Sequence, residues 1–278
     1  MSSPDFIVIG PGKSGTTWLY NLLHAHSNVC MAPAKETMFF NEYYHKGYDW
    51  YLSFFKHCED QKVIGEATNT YIFSSIAPQR MFQFNSNISL LTVLRNPIDR
   101  AFSHYLFLLR NGEYTGSFEE ILEKRPDILE RGLYSIYLNR YLVYFPLEQL
   151  QIMLFDDLKS DPFGFAKNLF SFLNIDYDEQ AIHSANSNKL PASAARSTIL
   201  ARFVKQCAIR IRDMGRPDLV TKVKNSWFRH LLYRPYEKYP AMRPESRERL
   251  RNYFYDDVAK LSEITNRDLV KLWLDPNV

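Results

Sequence analysis

A short segment near the N-terminus, Phe6-Ile-Val-Ile-Gly-Pro-Gly-Lys-Ser-Gly-Thr-Thr-Trp18, narrows the possible folds more than any other part of the chain. An apolar, β-branched run gives way to a glycine-rich turn, and an amphipathic stretch follows from Thr16 to His24. A buried strand feeding such a turn and then a helix start is the layout of a phosphate cradle. Small residues let backbone N–H groups approach an anion, and the helix N-terminus adds a favourable dipole. Gly10 and Gly15 have the spacing of G-x-x-x-x-G-K-[ST], in which lysine directly follows the last glycine. Here Thr16 holds that place, and the lysine is Lys13, inside the loop. The loop therefore suits a phosphate-like group, and not the tail of ATP or GTP.

A chain of 278 residues can bury a full core and fits one α/β domain with helical additions. The residues before Phe6 hold no targeting signal, and no stretch approaches the roughly 20 apolar residues of a membrane span. Cys30, Cys58 and Cys207 are few, odd in number and far apart, so the spacing indicates neither a disulfide framework nor a zinc site. A cytoplasmic protein without stable membrane insertion is the expectation. The net charge of +3 conceals an asymmetry: Arg196 to Arg251 carries 15 Lys/Arg against 5 Asp/Glu. Either these are solvated helix faces, or they form a basic wall toward an anionic cofactor, acceptor or lipid surface. No nucleic-acid motif accompanies the charge, and the sequence says nothing about oligomeric state.

Apolar runs at Phe6–Gly10, Asn28–Met31, Lys62–Glu66, Ser89–Leu94 and Gln151–Phe155 read as strands. Helical patterns fill Gly15–His26, Asp49–Cys58, Pro78–Phe84, Asn96–Leu109, Phe118–Lys124, Leu133–Tyr144 and Asp161–Leu173. Alternation of this kind predicts an α/β fold, P-loop-type and three-layered α/β/α, with a central parallel sheet. Beyond Asn174 a loop at Ser184–Ser197 precedes helices only. The expectation is a single domain over 1–278, with a core of about 5–175 and a C-terminal helical extension over about 176–278.

A second segment, Thr92-Val-Leu-Arg-Asn-Pro-Ile-Asp-Arg-Ala-Phe-Ser-His-Tyr105, repeats the logic of the first. A buried strand delivers Arg95 to a helix start capped by Asn96 and opened by Pro97. Ser103 lies about two turns on, along the same face. A guanidinium and a hydroxyl so placed can clasp a second phosphate.

Together the two segments resemble the sulfotransferases that use 3′-phosphoadenosine 5′-phosphosulfate (PAPS). Gly10–Thr17 matches that family's G-x-x-K-x-G-T-T loop, and Arg95–Ser103 its R-N-P-x-D-R-x-x-S segment. Lys35-Glu-Thr-Met-Phe-Phe40 resembles the K-E-x-x-F-F element of the heparan sulfate (glycan) branch, which supplies a catalytic glutamate. Glu66-Ala-Thr-Asn-Thr-Tyr-Ile-Phe73 is similar to that branch's acceptor-lining segment. Golgi members of the branch carry an N-terminal anchor and some a K-G-R loop; neither is expected here, Ser187-Asn-Lys189 and Arg196 standing in the region of that loop.

The resemblance implies sulfuryl transfer from PAPS to an acceptor hydroxyl, on a carbohydrate or other hydroxylated metabolite, with an amine as the alternative acceptor, by in-line displacement and without a metal. Gly12, Lys13, Ser14, Gly15, Thr16 and Thr17 would hold the 5′-phosphate and sulfonate, with Lys13 stabilising charge at the breaking bond. Arg95, Ser103 and Arg196 would serve the 3′-phosphate side. Trp18 either borders the adenine or packs in the core. Glu36 is the expected general base, and Lys35, Glu66 and Tyr71 are expected at the acceptor; Lys35 could instead steady the leaving phosphate or be a simple surface lysine, and Glu66 could instead orient Lys35. The aromatics Tyr43, Tyr44, Tyr48 and Trp50 could stack on a sugar or simply pack. His104, inside the helix beside Ser103, either packs there or is the rival base. Two other functions are weighed: a P-loop kinase or nucleotide triphosphatase, which would place lysine where Thr16 stands, and a catalytically silent binding module, which would have a broken lysine loop or lack the acid.

Overall fold

The computed structural model describes residues 3–59, 62–187, 193–195, 198–214, 219–220, 233–235 and 240–275. In chain order the elements begin with β1 (Phe6–Gly10), α1 (Thr16–Ala25), β2 (Val29–Met31), α2 (Gly47–Leu52), β3 (Val63–Ala67), α3 (Ala77–Phe84) and β4 (Ser89–Leu94). There follow α4 (Pro97–Arg110), α5 (Phe118–Lys124), α6 (Asp127–Glu130), α7 (Tyr134–Leu142), β5 (Leu150–Leu154), α8 (Phe155–Ser160), α9 (Pro162–Phe172) and α10 (Glu179–Ser187). The rest are β6 (Ser193–Ala195), α11 (Thr198–Asp213), β7 (Tyr233–Pro235), α12 (Pro244–Thr265) and α13 (Leu269–Leu274).

Contacts group the chain into two compact units. One comprises Met1–Leu94, Arg140–Leu190 and Pro217–Thr221; the other comprises Arg95–Asn139, Pro191–Arg216 and Lys222–Val278. The first unit holds the whole central sheet, five parallel strands in the order β2-β3-β1-β4-β5. Phe6, Val8, Leu91, Val93 and Met153 pack on one side against α1, α9 and α10. The alternate residues Ile7, Ile9 and Leu90 are equally buried, as a sheet covered on both faces requires. Because β1 lies between β3 and β4, the loop after it opens at the point where successive crossovers diverge, where ligands bind in open α/β sheets.

Trp18 settles into this core. Its ring meets Phe165 edge-on at 5.7 Å, and Nε1 donates to Asn186 Oδ1 at 3.0 Å. The expected helix over Asp49–Cys58 is shorter: α2 ends at Leu52, and a 3-10 turn over Ser53–Phe55 completes it. Around it Phe39, Phe40, Tyr51, Phe55 and Phe84 pack together, mostly edge to face, with Phe39 and Tyr51 nearly parallel at 4.4 Å. Tyr43, Tyr44, Tyr48 and Trp50 join the same cluster. The expectation for the cysteines is overturned here. Cys30 of β2 and Cys58 are disulfide-bonded, their Cα atoms 5.7 Å apart. Distance along the chain hid a return in space.

In the second unit, Asn96 caps α4 as the sequence implies, accepting from the N–H groups of Ile98 (3.0 Å) and Asp99 (3.4 Å). Its Nδ2 donates to the carbonyl of Trp273 in α13 at 2.7 Å. Asp257 of α12 accepts from Ser135 N and Ser135 Oγ, capping the start of α7. Beyond Asn174 the structure departs from a helices-only tail. The stretch Ser184–Ser187 finishes α10, and β6 pairs antiparallel with β7.

Candidate active site

The loop that follows β1 reaches α1 without a side-chain cap. The N-cap residue is Gly15, at φ 89°, and the first turn holds no acidic residue. A Cβ at Gly15 would press within 2.9 Å of Phe155, so glycine is required there for space as well as for its backbone. The uncapped first-turn N–H groups and the helix dipole together favour an anion. Ser14 is wholly buried, and its Oγ has no hydrogen-bond partner among the described residues. An orphaned hydroxyl in a loop of this kind fits a phosphate or sulfonate oxygen as its partner. Lys13, half-buried, holds φ 76°, a left-handed conformation that costs a non-glycine residue of order 1–3 kcal/mol.

Lys35 and Glu36 arrive from the other side of β1, after β2 has ended. Lys35 Nζ donates to Thr17 Oγ1 at 2.8 Å, which ties this segment directly to the phosphate loop. Glu36 also has a left-handed backbone, φ 73°, and its N–H donates to the carbonyl of Ala67 at 2.9 Å. Its carboxylate Oε1 accepts from Asn69 Nδ2 at 2.7 Å. The expected base and the expected phosphate loop therefore meet within one unit.

Glu66 and Tyr71, expected at the acceptor, have fully buried side chains. Glu66 is instead the centre of a hydroxyl network. Oε2 accepts from Thr37 (2.6 Å) and Thr68 (3.0 Å), and Oε1 accepts from Tyr51 (2.8 Å) and Tyr71 (3.0 Å). Burial raises its pKa, opposed by those four donors, while the Tyr51 and Tyr71 hydroxyls are pushed well above their usual value by burial and by the neighbouring acid. The network pins Thr37, and with it the turn whose left-handed residues are Glu36 and Met38. Its placement follows from β3 lying between β2 and β1, an order that the sequence of one chain does not reveal. Asn69 and Tyr51 carried no motif signal. Asn69 could have been suspected only from its place between two threonines after the strand.

Arg95 and Ser103 belong to the second unit. Both are half-buried; the carbonyl of Arg95 accepts from Tyr134 Oη at 2.9 Å, and Ser103 lies in the second turn of α4. His104 follows it, also half-buried in the helix. Arg196 lies outside the described residues. Among the described residues, one grouping of His, Cys, Asp or Glu is tight enough to share a metal ion: Cys30, His57 and Cys58, whose two sulfurs are bonded to each other.

A parallel sheet flanked by helices, with an anion-ready loop beside a carboxylate at its carboxyl edge, defines a P-loop-type α/β protein. The chain matches the family model described as Sulfotransferase domain over residues 3–262, and it belongs to the sulfotransferase family. It is 28% identical over 286 residues to the human bifunctional heparan sulfate N-deacetylase/N-sulfotransferase 3, covering 95% of this chain and 30% of that protein. The membrane-associated sulfotransferase kil1 of Dictyostelium discoideum is 40% identical over 138 residues, 46% of this chain and 29% of that one. A solved sulfotransferase from Alicyclobacillus acidocaldarius superposes with a TM-score of 0.70 at 25% identity, covering 99% of this chain and all of the other. The chain spans about 30% of the length of these curated relatives. Among the described residues no helix is long and apolar enough to cross a membrane.

Proposed function

We propose that this chain transfers a sulfuryl group from PAPS to a hydroxyl of a carbohydrate, with Glu36 as the general base. The observation that carries the reading is the Lys35–Thr17 bond, which sets Glu36 directly beside the phosphate loop. PAPS, when bound, supplies a sulfuryl group on a phosphosulfate bridge open to in-line displacement. Ser14, Thr16, Thr17 and the first-turn N–H groups of α1 would hold its 5′ end. Lys13 would place positive charge against the oxygen that departs, where preorganised electrostatics contribute most. Glu36 takes the proton of the attacking hydroxyl, a role worth about 10²–10⁴-fold. Thr16 in the place of the triphosphatase lysine argues against the kinase reading, and the retained Lys13 and Glu36 argue against a silent module.

The roles of Arg95 and Ser103 at the 3′-phosphate rest on the sequence resemblance alone. Lys35 is read as steadying the loop through Thr17, and Glu66 and Tyr71 as supports of the base-bearing turn. The family match across residues 3–262 supports treating both units as one transferase domain. The similarity to heparan sulfate N-sulfotransferases supports a sugar acceptor, its amine to be tried beside its hydroxyls. The Cys30–Cys58 disulfide favours an oxidising setting over a cytoplasmic one.

The test is Glu36→Gln, assayed by label transfer from PAPS to desulfated heparan sulfate and to small sugars. Turnover should fall by about 10²-fold or more while the spent nucleotide, PAP, binds as before. A variant that turns over normally removes Glu36 from the role.

A further inference from the structure

Asn69 has no counterpart among the motifs of the resemblance, yet three contacts converge on it. Its Nδ2 donates to Glu36 Oε1 at 2.7 Å. Its backbone lies against the first glycine of the phosphate loop so closely that a Cβ at Gly10 would fall 2.3 Å from the Asn69 carbonyl oxygen. Its own Cβ is the nearest atom to the Cβ position of Gly12, at 3.8 Å. The residues on either side are fixed in turn. Thr68 N donates to the carbonyl of Val8 in β1, and Thr70 Oγ1 accepts from Asn41 Nδ2. Asn69 is thus clamped to β1 and to the loop, and it carries a rigid donor that reaches the carboxylate.

The amide orientation is decided by its neighbour. Turning it over would set Oδ1 against Glu36 Oε1, acceptor against acceptor, so the nitrogen faces the carboxylate. Oδ1 on the far side is buried and has no hydrogen-bond partner among the described residues. An amide that leaves its oxygen unsatisfied, with its nitrogen spent on one carboxylate oxygen, is placed for that one bond.

We infer that Asn69 is a positioning residue for the base: it fixes the Glu36 carboxylate relative to the phosphate loop. The inference rests on the reading of Glu36 as the base and adds the element that sets its geometry. A charge-assisted bond of this length is directional, and misplacing a reacting group by about 1 Å costs about 10²-fold in rate. The requirement for glycine at position 10 has the same origin, since a side chain there would displace the residue that aims the base.

The experiment compares Asn69→Ala and Asn69→Asp with the parent chain and with Glu36→Gln. Asp keeps the volume of Asn but offers no N–H at neutral pH, which separates the hydrogen bond from packing. Three quantities are read: PAP affinity by calorimetry, release of labelled sulfate from PAPS to desulfated heparan sulfate or to water, and the Glu36 rotamer in crystals of Asn69→Ala with PAP. Expected are an unchanged PAP affinity, kcat down about tenfold or more in both variants with the KM for PAPS held, and a Glu36 carboxylate that leaves its single position. A kcat within about twofold of the parent in Asn69→Asp, or an unmoved Glu36 in Asn69→Ala, overturns the inference. A fully active Glu36→Gln would overturn the base itself, and the crystal comparison would still decide whether Asn69 positions that side chain.

Discussion

Lys13 and Glu36 share an unusual property: both are non-glycine residues with left-handed backbones, at φ 76° and 73°. Such conformations persist where the surroundings over-determine them. Lys13→Gly should therefore leave the thermal midpoint unchanged or higher, because glycine meets no Cβ penalty there, while turnover falls by about 10²-fold or more. A midpoint that drops by several degrees would show that the lysine contributes more to folding than its backbone costs. Glu66 offers the opposite case, a buried acid held by four hydroxyl donors. Glu66→Ala would strand four hydroxyls and leave a cavity, a loss of about 3 kcal/mol or more in chemical unfolding. The acid also makes stability depend on pH. Its folded pKa is raised, so the native state binds the proton more tightly than the unfolded chain. The contribution is full below the ordinary carboxylate range and is lost as pH rises through the folded value. Glu66→Gln, which cannot ionise, should flatten that part of the stability–pH curve; an unchanged slope would mean that other groups set it.

At the scale of elements, the segment from β2 to β3 holds most of what the sequence did not disclose. The Cys30–Cys58 bond has a sequence separation of 28 and encloses Lys35, Glu36 and all of the aromatic cluster but Phe84. Closing a loop of that length stabilises by about 3–4 kcal/mol in the chain-entropy account. Cys58→Ser, or reduction of the parent chain, should lower stability by about that amount, read as a shift of the urea midpoint with the slope held. An unshifted midpoint would mean that this loop is already fixed by its packing. The α4 start is a smaller device. Asn96→Ala removes two cap bonds and the bond to Trp273, a loss of about 1–2 kcal/mol by the same measurement. These elements differed in how well they could be read. Asn96-Pro97 announces a helix start by local chemistry, and the strands of the sheet stand out as apolar runs. The aromatic stretch Phe39–Phe55 does not, because short turns around a ring cluster follow neither a helical nor a strand period.

Across the whole chain, the order of strands and helices was legible because each local pattern agrees with the fold. The phosphate loop and the position of Glu36 were legible as motifs, since their chemistry constrains neighbouring residues. The places of Glu66, Tyr71, Asn69 and the disulfide depend on which strand lies beside which, and alternation of strands and helices leaves that order open. PAP should raise the thermal midpoint, with a stabilisation of about 2.7 kcal/mol at a hundredfold excess over its dissociation constant, whereas ADP with magnesium should not. Equal shifts with both would remove the distinction that Lys13 and Thr16 draw. The hydroxyl network has a last consequence, for inheritance. Thr37, Tyr51, Thr68 and Tyr71 each give one proton to the same buried acid, so a lineage that discards the acid strands all four at once. Descendants of this protein should keep the five positions as a set or exchange them together for an apolar cluster, and intermediates holding part of the set should be scarce.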